Sequence, residues 1–251
     1  CGLTNLSTKG MGTQKIEEEV AELFPMVKVA RMDWGTTRGK WAFDKLIDSF
    51  ASQEIKILVG TQMIIKGLDF QNVHLVGVLN ADHLLNFPDF RAHERTFQML
   101  SQVAGRAGRK DVRGKVLIQT YQPNHAIIQQ VIDGDYKKML EQQLKDRKEY
   151  YYPPYARLIR IVVNHRDMET VKKASQWIVN VLLQSEYGQV LGPVFPSIAR
   201  VRNRYRMQIM VKITSDKSRE RVKQIIQKTM EGFVPISQFR ACRVNLDVDP
   251  Y

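Results

Sequence analysis

Gly60-Thr61-Gln62-Met63-Ile64-Ile65-Lys66-Gly67-Leu68-Asp69-Phe70 decides how the first half of the chain is read. It follows a short apolar run, residues 55–59, that predicts a β-strand ending at Gly60. Open parallel sheets bind ligands at the carboxyl ends of their strands, so a loop in this place is a candidate site. The glycines let backbone N–H groups approach an anion, and Asp69 is placed to accept a ribose hydroxyl. Taken alone, the segment fits an ordinary strand–helix turn equally well.

Outward from this loop, strand and helix patterns alternate. Residues 16–24 have apolar side chains at helical spacing, with Glu17–Glu19 as an acidic first turn suited to the helix dipole. Strands are predicted at 27–32, 73–79 and 115–120, the second of a buried type, and helices at 41–50, 90–103 and 126–132. Such alternation implies parallel strands with crossover helices, hence a three-layer α/β domain. Residues 135–150 predict a charged, solvated helix that runs into Tyr150-Tyr151-Tyr152-Pro153-Pro154-Tyr155. Consecutive prolines cannot continue a helix, which places a domain boundary there. The aromatics fit either stacking on bases or packing of the linker onto a domain.

The remaining residues read strand (157–163), helix (168–184), strand (190–198), strand (204–213), helix (216–230), strand (241–248). That order is β-α-β-β-α-β, the split ferredoxin-like motif, which hosts many functions.

The 251 residues carry a net charge of +12, unevenly spread. Residues 151–251 hold 17 Lys and Arg against 8 Asp and Glu, whereas residues 1–150 hold 21 against 18. A polyanion partner, nucleic acid above all, fits this balance; a highly soluble basic domain is the bland alternative. With 43% hydrophobic and 25% charged residues, a disordered tail or a fibre is excluded. No apolar run reaches the roughly 18–20 residues of a membrane helix, and no signal-peptide pattern opens the chain. Two cysteines, Cys1 and Cys242, exclude a disulfide framework and fit a reducing cytoplasm. A chain that opens on Cys rather than Met reads as a piece of a longer protein.

A second segment, Gln102-Val103-Ala104-Gly105-Arg106-Ala107-Gly108-Arg109, closes a predicted helix. Arg106 and Arg109 lie on one side of a turn, with small residues between them that leave room for a large ligand. Forked guanidinium groups suit phosphate oxygens and can stabilise charge developing on a γ-phosphate. A basic helix C-terminus capped by glycine is the plainer reading.

Together the two segments resemble motifs V and VI of superfamily 2 helicases. The stretch between them, Leu79-Asn80-Ala81-Asp82 and Phe87-Pro88-Asp89-Phe90-Arg91-Ala92-His93-Glu94-Arg95-Thr96-Phe97-Gln98, is similar to the primosomal replication-restart helicase family. So are Gly12-Thr13-Gln14-Lys15-Ile16-Glu17-Glu18-Glu19, Leu23-Phe24-Pro25, Arg31-Met32-Asp33 with Thr36-Thr37, and the closing Asp247-Val248-Asp249-Pro250. The resemblance covers essentially the whole chain, densely before Pro154 and more thinly after it. It implies an ATP-dependent DNA helicase that recognises stalled or repaired forks and helps other primosome proteins reload the replicative helicase. Residues 3–150 would be the second RecA-like helicase lobe. Residues 155–251 would be the C-terminal domain that contacts branched and single-stranded DNA and single-stranded DNA-binding protein.

By the same resemblance, Gly67 and Asp69 would sit at the nucleotide, Asp69 near the ribose. Thr61 and Gln62 would lie by the inter-lobe cleft or the DNA backbone. Gln102, Arg106 and Arg109 would face the triphosphate. The chain departs from the family pattern at Ile65 and Leu68, which receive no polar role. ATP and Mg²⁺ are the implied cofactors of the whole protein. The chain has no G-x-x-x-x-G-K-[ST] loop and no acidic Mg²⁺-holding motif, so it is expected to supply half an ATP site and to hydrolyse nothing alone. Cys1-Gly2 resembles the end of the family's zinc-binding insertion. Structural zinc takes about four ligands; with only Cys1 left and Cys242 in an expected core strand, this chain is expected to hold none.

Arg200, Arg202, Arg204 and Arg206 recur at every second position and would project to one face of an extended stretch, where they could track a phosphate backbone. A solvated hairpin is the alternative. Lys217, Arg219, Arg221 and Lys223 could meet DNA, an acidic partner tail or water. A non-catalytic nucleic-acid-binding adaptor with a degenerate helicase lobe is the competing functional class, and the intact Arg106/Arg109 pair argues against it.

Overall fold

Helical and strand periodicities alternate through the first half of the chain, and the backbone follows them. The computed structural model describes residues 12–37, 41–64, 73–105, 107, 114–184, 188–214 and 219–250, in two units, Cys1–Met139 and Leu140–Tyr251. In the first, α1 (Thr13–Leu23) precedes β1 (Val29–Met32), and α2 (Ala42–Ala51) precedes β2 (Ile57–Gly60). β1 and β2 pair in parallel, Met32 opposite Gly60. β3 (Leu75–Val78) is followed by a short α3 (Asp82–Leu85) and by α4 (Ala92–Ala104); β4 (Lys115–Ile118) then pairs in parallel with β3. α5 (Ala126–Asp133) ends on Gly134, whose φ of 68° is the left-handed cap that glycine adopts without strain.

This is a mixed α/β unit with small parallel sheets. Among the described residues β1–β2 and β3–β4 form separate two-stranded sheets. Its core gathers Ala81, Leu85, Phe97, Leu100, Ile127 and Ile128 beneath α4 and α5. Two expectations need correction. The strand expected at 73–79 is only half-buried: among the described residues it pairs with β4 alone, and Leu75 is exposed, with Leu79 just beyond its end. Glu17–Glu19 lie beyond the first turn of α1, which starts at Thr13 behind Gly12, so the dipole gains no acidic partner there.

α6 (Tyr136–Glu149) carries the division between the units. The sequence expects a boundary at Pro153-Pro154; the compact units part earlier, inside this helix. It is not solvated all round, as its charge suggests, because Met139 and Gln143 are buried. The tyrosine–proline linker is tied down within the second unit. Arg147 Nη1 donates to the Pro153 carbonyl at 3.3 Å, and Lys212 Nζ donates to the Tyr150 carbonyl at 2.7 Å. The same ammonium lies 3.8 Å from the centre of the Tyr152 ring.

The second unit comprises β5 (Ala156–His165), α7 (Met168–Leu183), β6 (Gln189–Val194), β7 (Arg200–Val201), β8 (Arg204–Thr214), α8 (Arg219–Phe233) and β9 (Arg243–Val248). The sheet runs in the order β6-β8-β5-β9, antiparallel throughout, with β7 added to β8 as a hairpin. Strand alternation decides its faces. Ile159, Ile161 and Val163 of β5 and Ile209, Val211 and Ile213 of β8 point to one side and pack against α7 and α8. Asp167 starts α7 by accepting the Thr170 N–H at 2.7 Å. The strand expected at 190–198 stops at Val194, where Gly192-Pro193 shifts the register and removes a ladder donor. Among the described residues no helix is long and apolar enough to cross a membrane.

Candidate functional site

The carboxyl ends of β1 and β2 lie side by side, and both turn sharply. A Cβ on Gly60 would meet the Met32 carbonyl oxygen at 2.5 Å and Ile64 Cδ1 at 2.4 Å, so only glycine fits where the 3₁₀ turn Gln62–Ile64 folds back over the strand end. That fold leaves Thr61 and Gln62 exposed at the rim. Beside them, Asp33 organises the loop after β1. Its Oδ1 accepts the N–H groups of Gly35 and Thr36 at 2.9 and 3.0 Å. Its Oδ2 accepts the Thr13 hydroxyl at 2.8 Å and lies 3.1 Å from Arg31 Nε. The Thr13 hydroxyl first, then the Thr36 N–H, hold the Asp33 carboxyl below its ordinary value. The sequence marks Thr13, Asp33 and Thr36 only as points of resemblance. The Asp-x-Gly-Thr turn chemistry after a strand is the signal that they form a polar cluster beside Thr61 and Gln62.

A second carboxylate ties together the ends of β3 and β4. Asp82, nearly buried, accepts the Thr120 hydroxyl at 3.1 Å and the Tyr121 N–H at 3.0 Å. Asp89 accepts the Arg91 N–H at 2.8 Å and pairs with Arg95 at 3.0 Å, fixing the entry to α4. Gln102 is exposed near the opposite end of α4. Arg106, Arg109, Gly67, Asp69 and Cys1 lie outside the described residues.

Among the described residues no cluster of metal-ligating side chains is present. His125 Nδ1 accepts the Ile127 N–H at 3.2 Å and caps α5, and its ring meets His93 edge-on at 5.2 Å. Cys242 is half-buried just before β9, and burial pushes its thiol above the ordinary value, against the pull of Arg204.

The arginine series does not share one face. Arg202 and Asn203, at φ 47° and 59°, form the two-residue turn of the β7–β8 hairpin, with the left-handed backbone that tight hairpins require. Arg200 stands opposite Tyr205, lies 4.9 Å over its ring, and bonds Asn203 through Nη2. Tyr205 packs against the helix-covered core. Arg204 and Arg206, one residue out of phase with Tyr205, project from the other side of β8. There the register sets Arg206 against Asn164, and Asn164 against Arg243. Of the basic helix residues, Lys223 lies 4.0 Å from Glu220, and Lys217 is outside the described residues.

Two family models divide the chain between them. Residues 12–111 match the helicase conserved C-terminal domain, and residues 148–251 match the primosomal protein N C-terminal domain. The class is therefore a helicase-type α/β unit followed by a primosomal C-terminal unit. The chain belongs to the replication restart protein PriA family. It is 39% identical over its whole length to the replication restart protein PriA of Bacillus subtilis and 41% identical to that of Synechocystis. Against the Treponema pallidum protein the identity is 37% over 96% of the chain. The chain spans 31%, 29% and 36% of the length of these three relatives.

Proposed function

We propose that the chain is part of an ATP-dependent DNA helicase that recognises stalled or repaired replication forks, unwinds DNA and helps reload the replicative helicase. The observation that carries this reading is the succession, on one chain, of a helicase C-terminal domain and a primosomal C-terminal domain. In this reading residues 3–150 are a RecA-like three-layer lobe. The parallel pairing of β1–β2 and β3–β4 supports it, as does the loop of Thr61 and Gln62 at a strand's carboxyl end. Residues 155–251 form a ferredoxin-like domain, which the order β6-β8-β5-β9 of a β-α-β-β-α-β core supports.

Gly67 and Asp69 hold the nucleotide, while Gln102, Arg106 and Arg109 face its phosphates; the exposed position of Gln102 fits that role. ATP with Mg²⁺ supplies the energy of unwinding in the whole protein. Thr61 and Gln62 meet the DNA backbone or the inter-lobe cleft. The basic second unit binds branched and single-stranded DNA, single-stranded DNA-binding protein and other primosome components. Cys1 ligates structural zinc only in the intact protein, and the protein works in the cytoplasm.

The test is strand displacement on a forked duplex by the intact protein, with the present chain in parallel. The intact protein is expected to unwind the fork and hydrolyse ATP in response to DNA. The chain alone is expected to bind the fork and hydrolyse nothing. An intact protein that binds forks but neither hydrolyses ATP nor unwinds them would be an adaptor.

A further inference from the structure

The second unit's sheet has one face covered by α7 and α8; on the other face Ala156, Leu158, Val162 and Lys212 are buried, and the charged residues gather at the opposite end. Along this second face the character changes row by row. At one end Lys212 and Leu158, which pair in register, are buried, and Lys212 holds the linker through Tyr150 and Tyr152. In the next row Arg160 is neutralised by Asp247 at 2.5 Å. Gln208, Val162 and Asn245 follow, with no charge. The last row is Arg206, Asn164 and Arg243, with Arg204 two residues beyond Arg206 on the same side. Among the described residues none of Arg204, Arg206 and Arg243 has an acidic partner, and Asn164 Nδ2 is spent on the Arg243 carbonyl at 3.4 Å.

Neighbouring strands lie about 4.8 Å apart, so Arg206 and Arg243 flank Asn164 across roughly 10 Å. Guanidinium groups at that spacing repel one another unless an anion lies between them. They are long enough to grip successive phosphates from both sides, and their forks suit phosphate oxygens. Among the described strand residues of this face none is aromatic, and the Tyr152 ring lies over Lys212 at the opposite end; Tyr205 belongs to the covered side. The stacking platform that single-strand readers use is therefore missing here.

We propose that this end of the face opposite α7 and α8, Arg204, Arg206 and Arg243 around Asn164, is a binding surface for the sugar–phosphate backbone of DNA, gripped without regard to base. Arg243 is a contact that linear spacing does not suggest, and Arg200, turned to the covered side, is not part of the surface. The proposal rests on the reading of the second unit as DNA-binding.

The experiment titrates the 251-residue chain with a labelled mixed-sequence single strand, a labelled oligodeoxythymidine and a labelled duplex, each at several salt concentrations. Arg206→Ala/Arg243→Ala is expected to lose about tenfold or more in affinity for the single strands, since each removes a charge-assisted contact. The slope of log affinity against log salt should fall by about 1.4, at roughly 0.7 per phosphate on single strands, or by about 1.8 on duplex. Which slope changes identifies the bound form. Mixed-sequence and thymidine strands should be affected alike. Arg206→Lys/Arg243→Lys should restore most of the slope, and Arg200→Ala should stay within about twofold of the unsubstituted chain. Unchanged Trp177 emission confirms that the variants are folded, because Trp177 packs against the second unit's core. If the double Ala variant binds with unchanged slope, the surface is wrong while DNA binding stands. If the unsubstituted chain binds no DNA at low salt, both fail.

Discussion

Two helices close one face of the second unit's sheet over a core that includes Ile161, Ile178 and Ile209, all fully buried. The first unit leaves large apolar side chains at the surface, Leu75 and Leu117 on its parallel strands and Trp34 and Trp41 in turns of the chain. Polar chemistry is distributed in the opposite way. In the first unit it sits at strand ends, where Asp33 and Asp82 gather loop donors. In the second it sits on a sheet face, where charge is left over once the core is closed. Loops at strand ends are local in sequence, so motifs reveal them. A sheet face is assembled from distant strands, so only the register reveals it.

That contrast can be broken most strongly at the core. Ile209→Ala removes a fully buried side chain from a central strand and is expected to cost the second unit about 2–5 kcal/mol. Denaturant unfolding followed by Trp177 emission measures it; a shift well under that range would mean a looser core than the packing implies. Gly60→Ala sharpens the first unit's side. Its Cβ would meet a backbone oxygen that cannot yield, so a loss of about 1–3 kcal/mol is expected, with faster amide exchange at Ile64. A silent substitution would remove the argument that glycine is required under the turn.

A smaller effect is expected from Lys212→Met. Replacing a buried ammonium by an apolar side chain is often neutral, so the Trp177 transition should move by about 1 kcal/mol or less. Proteolytic cleavage around Tyr150 and Tyr151 should nevertheless quicken, because the linker loses its only ammonium contact among the described residues. Equal cleavage rates would show that other contacts hold the linker.

The smallest effects concern pH. The carboxyls of Asp33 and Asp167 are held below 3.8, chiefly by the hydroxyls of Thr13 and Thr170 respectively. Lowered folded values stabilise the protein above the ordinary carboxylate range, and that contribution fades as pH falls through them. NMR titration should place both midpoints under 3.8, and Thr13→Val should raise that of Asp33 while leaving that of Asp167 in place.

The order of elements was legible in the sequence, because helical and strand periodicities are distinct even where their ends are not. The first unit's motif loops were legible for the same local reason. The fate of the arginine series was not. Arg202-Asn203 lacks the glycine that marks a tight hairpin, so nothing local announces the turn that sends Arg200 to one side and Arg206 to the other. Arg243 reaches Asn164 from 79 positions away through the β5–β9 register, which no spacing rule contains. β3 read as buried because its residues are apolar, and composition does not reveal its pairing, which among the described residues is with β4 alone.

The central claim, which rests on the proposed function, is that the two units divide the work, nucleotide contacts in the first and the main DNA affinity in the second. It is tested most directly by crossing two substitutions in the intact protein and reading ATP hydrolysis and DNA affinity in each. Arg109→Ala is expected to lower DNA-stimulated hydrolysis by about 10³–10⁵ while leaving DNA affinity nearly unchanged. Arg204→Ala/Arg206→Ala is expected to weaken DNA binding and reduce its salt dependence, with hydrolysis at saturating DNA retained. If either variant moved both quantities together, or if Arg109→Ala left hydrolysis within a few-fold of the unsubstituted protein, the division would be contradicted.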